Sequence, residues 1–238
     1  MNTKSQAATD KGNAELKSRV RKRILQVVLQ FLIFALILFS TSGKLNWIWA
    51  WVYMGVSILI LAVNAMVLSP ELMAERGEVK ENVESWDRYM ASIGSILTLV
   101  IIILPGLDLR FEWSPPLNPF VQIIGLIGYV LGMGLFTWSM ASNPFFSGVV
   151  RIQMDRDQIV ATSGPYRYVR HPGYLGYLIA YTATALALGS LWALIPAFLL
   201  LITMAIRTAL EDRTLLEKLE GYREYADQVR SRLIPGVW

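Results

Sequence analysis

The chain has 238 residues, 54% of them apolar and only 17% charged, and its mean hydropathy is +0.44. It contains no cysteine and a single histidine, His171. That excludes a disulfide framework, a thiolate nucleophile and a histidine-rich metal centre, and a formal charge of +4 is modest enough that its placement matters more than its sum.

From the N-terminus, residues 1–12 read as a disordered tail; residues 1–23 are polar and too long for the n-region of a signal peptide, and no small-residue cleavage pattern follows the first apolar run. Six apolar stretches follow, at 24–40, 45–68, 89–104, 119–140, 172–188 and 191–208. A bilayer core about 30 Å thick takes roughly 20 apolar residues in a helix, so the first and third stretches are short for a crossing. Only Gly189 and Ser190 separate the last two, which predicts a tight helical hairpin that need not traverse the whole bilayer. Residues 214–229 place Leu215, Leu216, Leu219, Tyr222 and Val229 between charges, the pattern of an amphipathic helix lying on the membrane surface, bent at Gly221.

The expected fold class is therefore all-α, a polytopic membrane helical bundle of about six membrane segments with a C-terminal helical hairpin and a cytoplasmic amphipathic helix. Three regions follow: a cytoplasmic tail at 1–23, N-terminal membrane helices at 24–118, and a core at 119–238. Of the 22 lysines and arginines, 20 fall in the N-terminal tail, the second and fourth connections and the C-terminal tail, leaving Lys44 and Arg110 for the other side. Positive charge marks the cytoplasmic side, so both termini and the polar loops are expected there. Trp47, Trp49, Trp51, Trp113 and Trp192 sit where interfacial anchors belong. Gly125, Gly128 and Gly132 suggest close helix packing, a likelier use than a glycine-rich cofactor loop.

Chemistry concentrates in two places. Residues 158–176 read QIVATSGPYRYVRHPGYLG, polar, basic and aromatic, leading straight into an apolar helix. Pro172 suits a first helical position. His171 then stands at the cap, where free N–H groups and the positive end of the helix dipole favour an anion. An interfacial cap with snorkelling arginines and a tyrosine belt explains the same residues. The second place is RTALEDR at 207–213. Arg207 and Glu211 are four apart and share a helix face, which suits a surface ion pair. But Arg207 follows an apolar stretch closely, and ionisable groups at such depth tend to have functions.

Together these pieces resemble the isoprenylcysteine carboxyl methyltransferases and related membrane phospholipid methyltransferases. The resemblance rests on Ser163-Gly164-Pro165-Tyr166, Arg170-His171-Pro172-Gly173-Tyr174 with Gly176, Arg207-Thr208 with Glu211-Asp212, Gly221-Tyr222 with Tyr225, and Arg232-Leu233-Ile234-Pro235. It implies an S-adenosylmethionine-dependent enzyme, with the cofactor contacted by Gln158, Ile159, Val160, Ala161, Tyr166, His171, Pro172, Gly173, Tyr174 and Glu211. It implies that Arg207 faces the methyl acceptor, and Arg207 and Glu211 are the expected catalytic pair. Two positions depart from the family pattern: Asp212 stands where a second glutamate is usual, and Gln158 where histidine is frequent. Asn143-Pro144-Phe145-Phe146 and Val150-Arg151-Ile152-Gln153 look like a bacterial branch, which implies a multi-pass protein of a bacterial inner membrane.

The implied partners are the bilayer and a lipophilic or isoprenoid acceptor reaching the site from it, with no metal and no nucleic acid. A carboxylate acceptor is already nucleophilic, and Arg207 would orient it through two parallel hydrogen bonds. An amine acceptor would need a base, and Glu211 is the candidate. Two other readings compete: a sterol-reductase-type enzyme holding NADPH with Arg151, Arg167 and Arg170, and a non-enzymatic lipid-binding protein.

Overall fold

The computed structural model describes residues 3–78 and 82–238. Met1 of the expected tail and Lys80 of the second connection lie outside the described residues. Among the described residues there are eight α-helices, two short 3-10 turns and no strand.

Helix α1 runs unbroken over Thr3–Ser42. From Thr3 onward this replaces the disordered tail expected at 1–12. The stretch holds no proline, and Ala14, Leu16 and Lys17 are strong helix formers. After a turn, α2 spans Ile48–Val67. A short helix absent from the sequence reading, α3 at Pro70–Glu75, follows at once. Its start is chemically plain: Pro70 opens the helix, and Ser69 Oγ accepts from Leu72 N at 3.2 Å.

Helix α4 spans Ser85–Phe111, longer at both ends than the stretch 89–104. Pro105 was expected to begin the next loop but lies inside the helix, since membrane helices tolerate proline where neighbours restore the lost hydrogen bonding. One turn on, the buried Asp108 carboxylate accepts from Ser114 N at 2.7 Å and Ser190 Oγ at 2.6 Å, fastening the end of α4 to the turn at 188–193.

Helices α5 (Pro119–Ala141) and α6 (Pro172–Ala187) form the tightest pair in the bundle. A Cβ at Gly132 would lie 2.5 Å from Ala180 N, and one at Gly125 would lie 2.4 Å from Ala187 N. The two backbones therefore touch, and the glycines of α5 are packing residues, as expected. Gly189 sits against Gln122, so α6 ends level with the first turn of α5. With 16 residues α6 is about 24 Å long, and among the described residues five helices are long and apolar enough to cross a membrane: α1, α2, α4, α5 and α7 (Leu194–Lys218). Helix α7 runs over Leu194–Lys218, ten residues beyond the predicted stretch. Leu25, Leu29, Leu32 and Leu36 of α1 and Leu59 and Met66 of α2 are exposed. Lipid chains are as apolar as leucine, so such a surface costs nothing in a bilayer.

The core between α1, α2, α4, α5 and α6 is built on Leu38, Trp47, Tyr53, Ile102, Tyr129 and Leu188. Trp47 is thus a core residue rather than an interfacial anchor, whereas Trp113 and Trp192 stay half-exposed and meet edge to face at the far end of the bundle. At the opposite end, extended backbone at Leu219 stops α7, and Gly221, at φ +77°, precedes the last helix. The last helix, α8 at Tyr222–Gln228, is short, and it buries Tyr222 and Tyr225. The expected continuous surface helix over 214–229 is therefore two pieces, with tyrosines turned inward.

Candidate active site

Four segments converge at the end of the bundle where α5 stops and α6 starts: the loop 142–171, the start of α6, the last turns of α7, and α8. They enclose a cleft lined by Asn143, Phe145, Phe146, Gln158, Val160, Ala161, Tyr166, His171, Gly173, Tyr174, Glu211, Leu215, Leu219, Tyr222 and Tyr225, among others.

The loop holds its shape through local chemistry. Gln153 is fully buried; its N–H donates to Gln158 Oε1 at 2.7 Å and its Nε2 to Phe145 O at 2.6 Å. Gln158 thus closes a turn with its oxygen. Gly164 takes φ +59°, and a Cβ there would lie 2.2 Å from Ser142 Oγ, so only glycine fits. The 3-10 turn at Gly164–Arg167 then carries Tyr166 inward, where its hydroxyl accepts from Asn143 Nδ2 at 3.3 Å. Burial pushes the Tyr166 phenol above the ordinary tyrosine range, and the same holds for Tyr222 and Tyr225. All three therefore remain protonated at neutral pH. Tyr225 donates to Tyr166 O at 2.7 Å, tying α8 across the cleft.

At the start of α6, His171 N donates to Arg232 O at 2.9 Å, and His171 O accepts from Tyr174 N and Leu175 N. The helix cap is largely satisfied within the protein, so it is not the open anion site the sequence suggested. The His171 ring lies parallel to Tyr174 at 5.8 Å between centroids. Its Nε2 is 3.3 Å from Asp212 Oδ1.

Asp212 is the centre of the polar structure. It is fully buried and accepts from Arg170 Nε at 2.8 Å, Arg170 Nη2 at 2.7 Å, Arg232 Nε at 2.9 Å and Tyr222 OH at 2.9 Å. One carboxylate thus joins α7 to the start of α6, to α8 and to the C-terminal segment. Glu211, one residue earlier, is only partly buried and accepts from Tyr174 OH, its sole hydrogen-bond partner among the described residues. It faces the cleft.

Arg207 and Glu211 share a face of α7 but form no ion pair. Arg207 turns to Asp87, in the first turn of α4, with Nε at 2.7 Å and Nη2 at 3.2 Å, and Nη2 also reaches Gly148 O at 2.8 Å. Its two-pronged edge is taken by protein, its plane lies 5.2 Å from the Tyr174 ring centroid, and it does not line the cleft.

Of the residues expected at the cofactor, Gln158, Val160, Ala161, Tyr166, His171, Gly173, Tyr174 and Glu211 come together on one cleft. Pro172 is buried behind it, and the Ile159 side chain is 69% exposed and points away. Asp87, Asn143, Phe146, Tyr222 and Tyr225 were not singled out as site residues. The aromatic run at 143–146 and the tyrosine spacing after Gly221 carried a signal for four of them; nothing local marked Asp87. Of the three arginines of the NADPH reading, Arg151 and Arg170 line the cleft and Arg167 does not. Arg151 pairs with Glu75 and Asp155, Arg170 with Asp212, and Arg167 is exposed.

Comparison with known proteins finds similarity in the stretch that carries most of this cleft. Residues 120–221 match the phospholipid methyltransferase family. That stretch takes in α5 through α7 and most of the cleft, leaving Tyr222 and Tyr225 just outside. Probable protein-S-isoprenylcysteine O-methyltransferases of rice, from Oryza sativa subspecies indica and japonica, are 29% identical over 117 residues, 48% of this chain and 61% of theirs. Mouse Delta(14)-sterol reductase TM7SF2 is 30% identical over 132 residues, 52% of this chain and 31% of that protein. The chain thus spans less than two thirds of the length of these relatives.

Proposed function

We propose that this multi-pass membrane protein is an S-adenosylmethionine-dependent methyltransferase acting on an isoprenoid- or lipid-like acceptor, by O-methylation of a carboxylate. The observation that carries the reading is the Glu211 cleft. It combines a carboxylate with spare accepting capacity, aromatic faces at Tyr166, Tyr174 and His171, and an apolar side at Val160, Ala161, Leu215 and Leu219. That donor set fits a ligand carrying a flat base and cationic groups, since cations favour both carboxylates and ring faces. When bound, S-adenosylmethionine supplies a methyl on sulfonium, which passes to the acceptor oxygen while the sulfur keeps the bonding pair.

The residues of the chain supply position and exclusion. Tyr174 fixes Glu211 by donating to it, and Asp212 fixes His171 and Tyr222 on either side. Tyr225 holds α8 against the loop, forming one wall of the cleft. A carboxylate acceptor needs no base, so orientation and water exclusion suffice. Arg207 sets the geometry of this wall by clamping α7 to α4, and Tyr174 lies between it and the cleft. We place the cleft on the cytoplasmic side, where the charge bias puts the cations, with the acceptor approaching from the bilayer. The match to the sterol reductase leaves a nicotinamide enzyme as the second reading. The paired state of Arg151 and Arg170 counts against a site for a 2′-phosphate.

The test is thermal unfolding of detergent-purified protein titrated with S-adenosylhomocysteine. A ligand that binds only the folded state raises the melting temperature by mass action. A saturable rise is expected in the wild type, weakened by roughly 10- to 100-fold in Glu211→Gln, as for loss of a charged hydrogen-bond partner. No rise up to millimolar ligand, with NADPH stabilising instead, would turn the assignment over to the reductase.

A further inference from the structure

A second cavity, of about 230 Å³, opens beside the cleft, lined by Arg23, Glu75, Arg76, Glu78, Phe146, Ser147, Gly148 and Val149. Its charges are unevenly matched. Glu75 is paired with Arg151, and Glu78 with Arg19. Arg76, at the end of α3, forms no ion pair among the described residues, and its Nη1 is buried without a hydrogen-bond partner. Its guanidinium rests on the rings of Phe146, at 5.3 Å, and Phe136, at 5.8 Å. Burial, and then the neighbouring charge of Arg23, push Arg76 down to about 10, which leaves it cationic at neutral pH. A cation held out of water beside a second cation is costly unless an anion joins them.

The cavity also stands at a defined depth. Arg23 is the last charged residue of α1 before its bilayer face begins, and Ile24, Leu25, Val28 and Leu29 after it are exposed apolar residues. That is the level of lipid headgroups. Phe146, Ser147 and Val149 line this cavity and the Glu211 cleft alike, so the 146–149 segment is their common wall.

We propose that this cavity binds the anionic headgroup of a membrane amphiphile, a carboxylate or a phosphate, with Arg76 as the principal ligand and Arg23 as the second cation. That this amphiphile is the methyl acceptor rests on the methyltransferase reading; the anion site itself does not. The geometry moves the anchoring of the acceptor from Arg207, whose two-pronged edge is held by Asp87, to Arg76, whose guanidinium is unclaimed. The planar guanidinium suits a carboxylate or phosphate better than a lysine ammonium would.

The experiment uses the full chain in a non-ionic detergent and follows its melting temperature against short-chain phosphatidate, a short-chain fatty carboxylate, inorganic phosphate and short-chain phosphatidylcholine. Expected is a saturable rise with phosphatidate or the fatty carboxylate, a far smaller one with inorganic phosphate, and none with the zwitterionic lipid. Arg76→Gln should weaken the response by about tenfold or more, as for a lost charge-assisted contact, and Arg23→Gln by less, while both keep the wild-type response to S-adenosylhomocysteine. Unliganded Arg76→Met should melt at or above the wild-type temperature, because it removes an unpaired buried charge. An unchanged anion response in both Gln variants overturns the site. So does an equal response to inorganic phosphate, which would make it a free-anion site, or a collapse of Arg76→Met stability, which would make Arg76 structural. Anion binding without any S-adenosylhomocysteine response leaves the site standing and removes the methyltransferase reading alone.

Discussion

Glu211 and Asp212 are consecutive on α7, and the molecule treats their carboxylates in opposite ways. Asp212 is sealed from solvent and surrounded by donors from Arg170, Arg232 and Tyr222. Glu211 has one partner and looks into a cleft. A helix advances about 100° per residue, so neighbouring side chains face different surroundings: one here faces the joint between α6, α8 and the C-terminal segment, the other faces open space. The lesson is that the acidic pair of the motif divides its labour. Asp212 assembles the walls, and Glu211 is the group left with capacity for a ligand.

Removing Asp212 should give the largest effect and the clearest break in this division. Asp212→Ala would strand Arg170, Arg232 and Tyr222 in a buried setting. Breaking such a pair costs about 3–5 kcal/mol, enough to abolish most folded protein in a denaturation series. Asp212→Asn should also lose stability, since a neutral amide leaves the guanidiniums uncompensated. If Asp212→Ala instead melted like the wild type and lost only ligand binding, the two carboxylates would share one role.

How much of this was visible beforehand depends on the range of the signal. Apolar runs gave the helices, because each helix reports its own burial along the chain; the glycines of α5 gave its close contact with α6 for the same reason. The motif at 158–176 gave most of the cleft. Asp87 was hidden because its partners Arg207 and Val150 are 120 and 63 residues away, and no periodicity carries such a pairing. The spacing suggested an ion pair of Arg207 with Glu211, four residues on, where the fold pairs it with Asp87. Pro105 misled by its ordinary meaning in water, where it ends helices.

A smaller effect should follow from Arg207→Lys. Lysine keeps the charge but cannot reproduce the paired Nε and Nη2 contacts with Asp87 or the bond to Gly148 O. A stability loss of about 1.5–3 kcal/mol is expected, the range for hydrogen bonds to charged groups, with S-adenosylhomocysteine binding nearly intact. A double-mutant cycle with Asp87→Asn should show strong coupling. Additive effects, together with turnover lost beyond any change in stability, would return Arg207 to direct contact with the acceptor and sharpen the boundary between the two regions at its expense.

The smallest expected effect is at Ile159, and it tests the outer edge of the cleft. Ile159 and Val160 are adjacent in the motif, and the resemblance assigned both to the cofactor. Yet the Ile159 side chain is 69% exposed, while Val160 packs beside Tyr166 and Tyr222 and lines the cleft. The two neighbours thus differ in exposure, and only Val160 lines the cleft. Ile159→Ala should change stability by no more than about 0.5 kcal/mol, as for surface substitutions generally, and leave the S-adenosylhomocysteine titration unmoved. Val160→Ala, by contrast, opens space beside the tyrosines and should weaken that titration measurably. A weakened titration in Ile159→Ala would mean that the loop turns over when ligand binds, with the 158–161 segment exchanging its inner and outer faces.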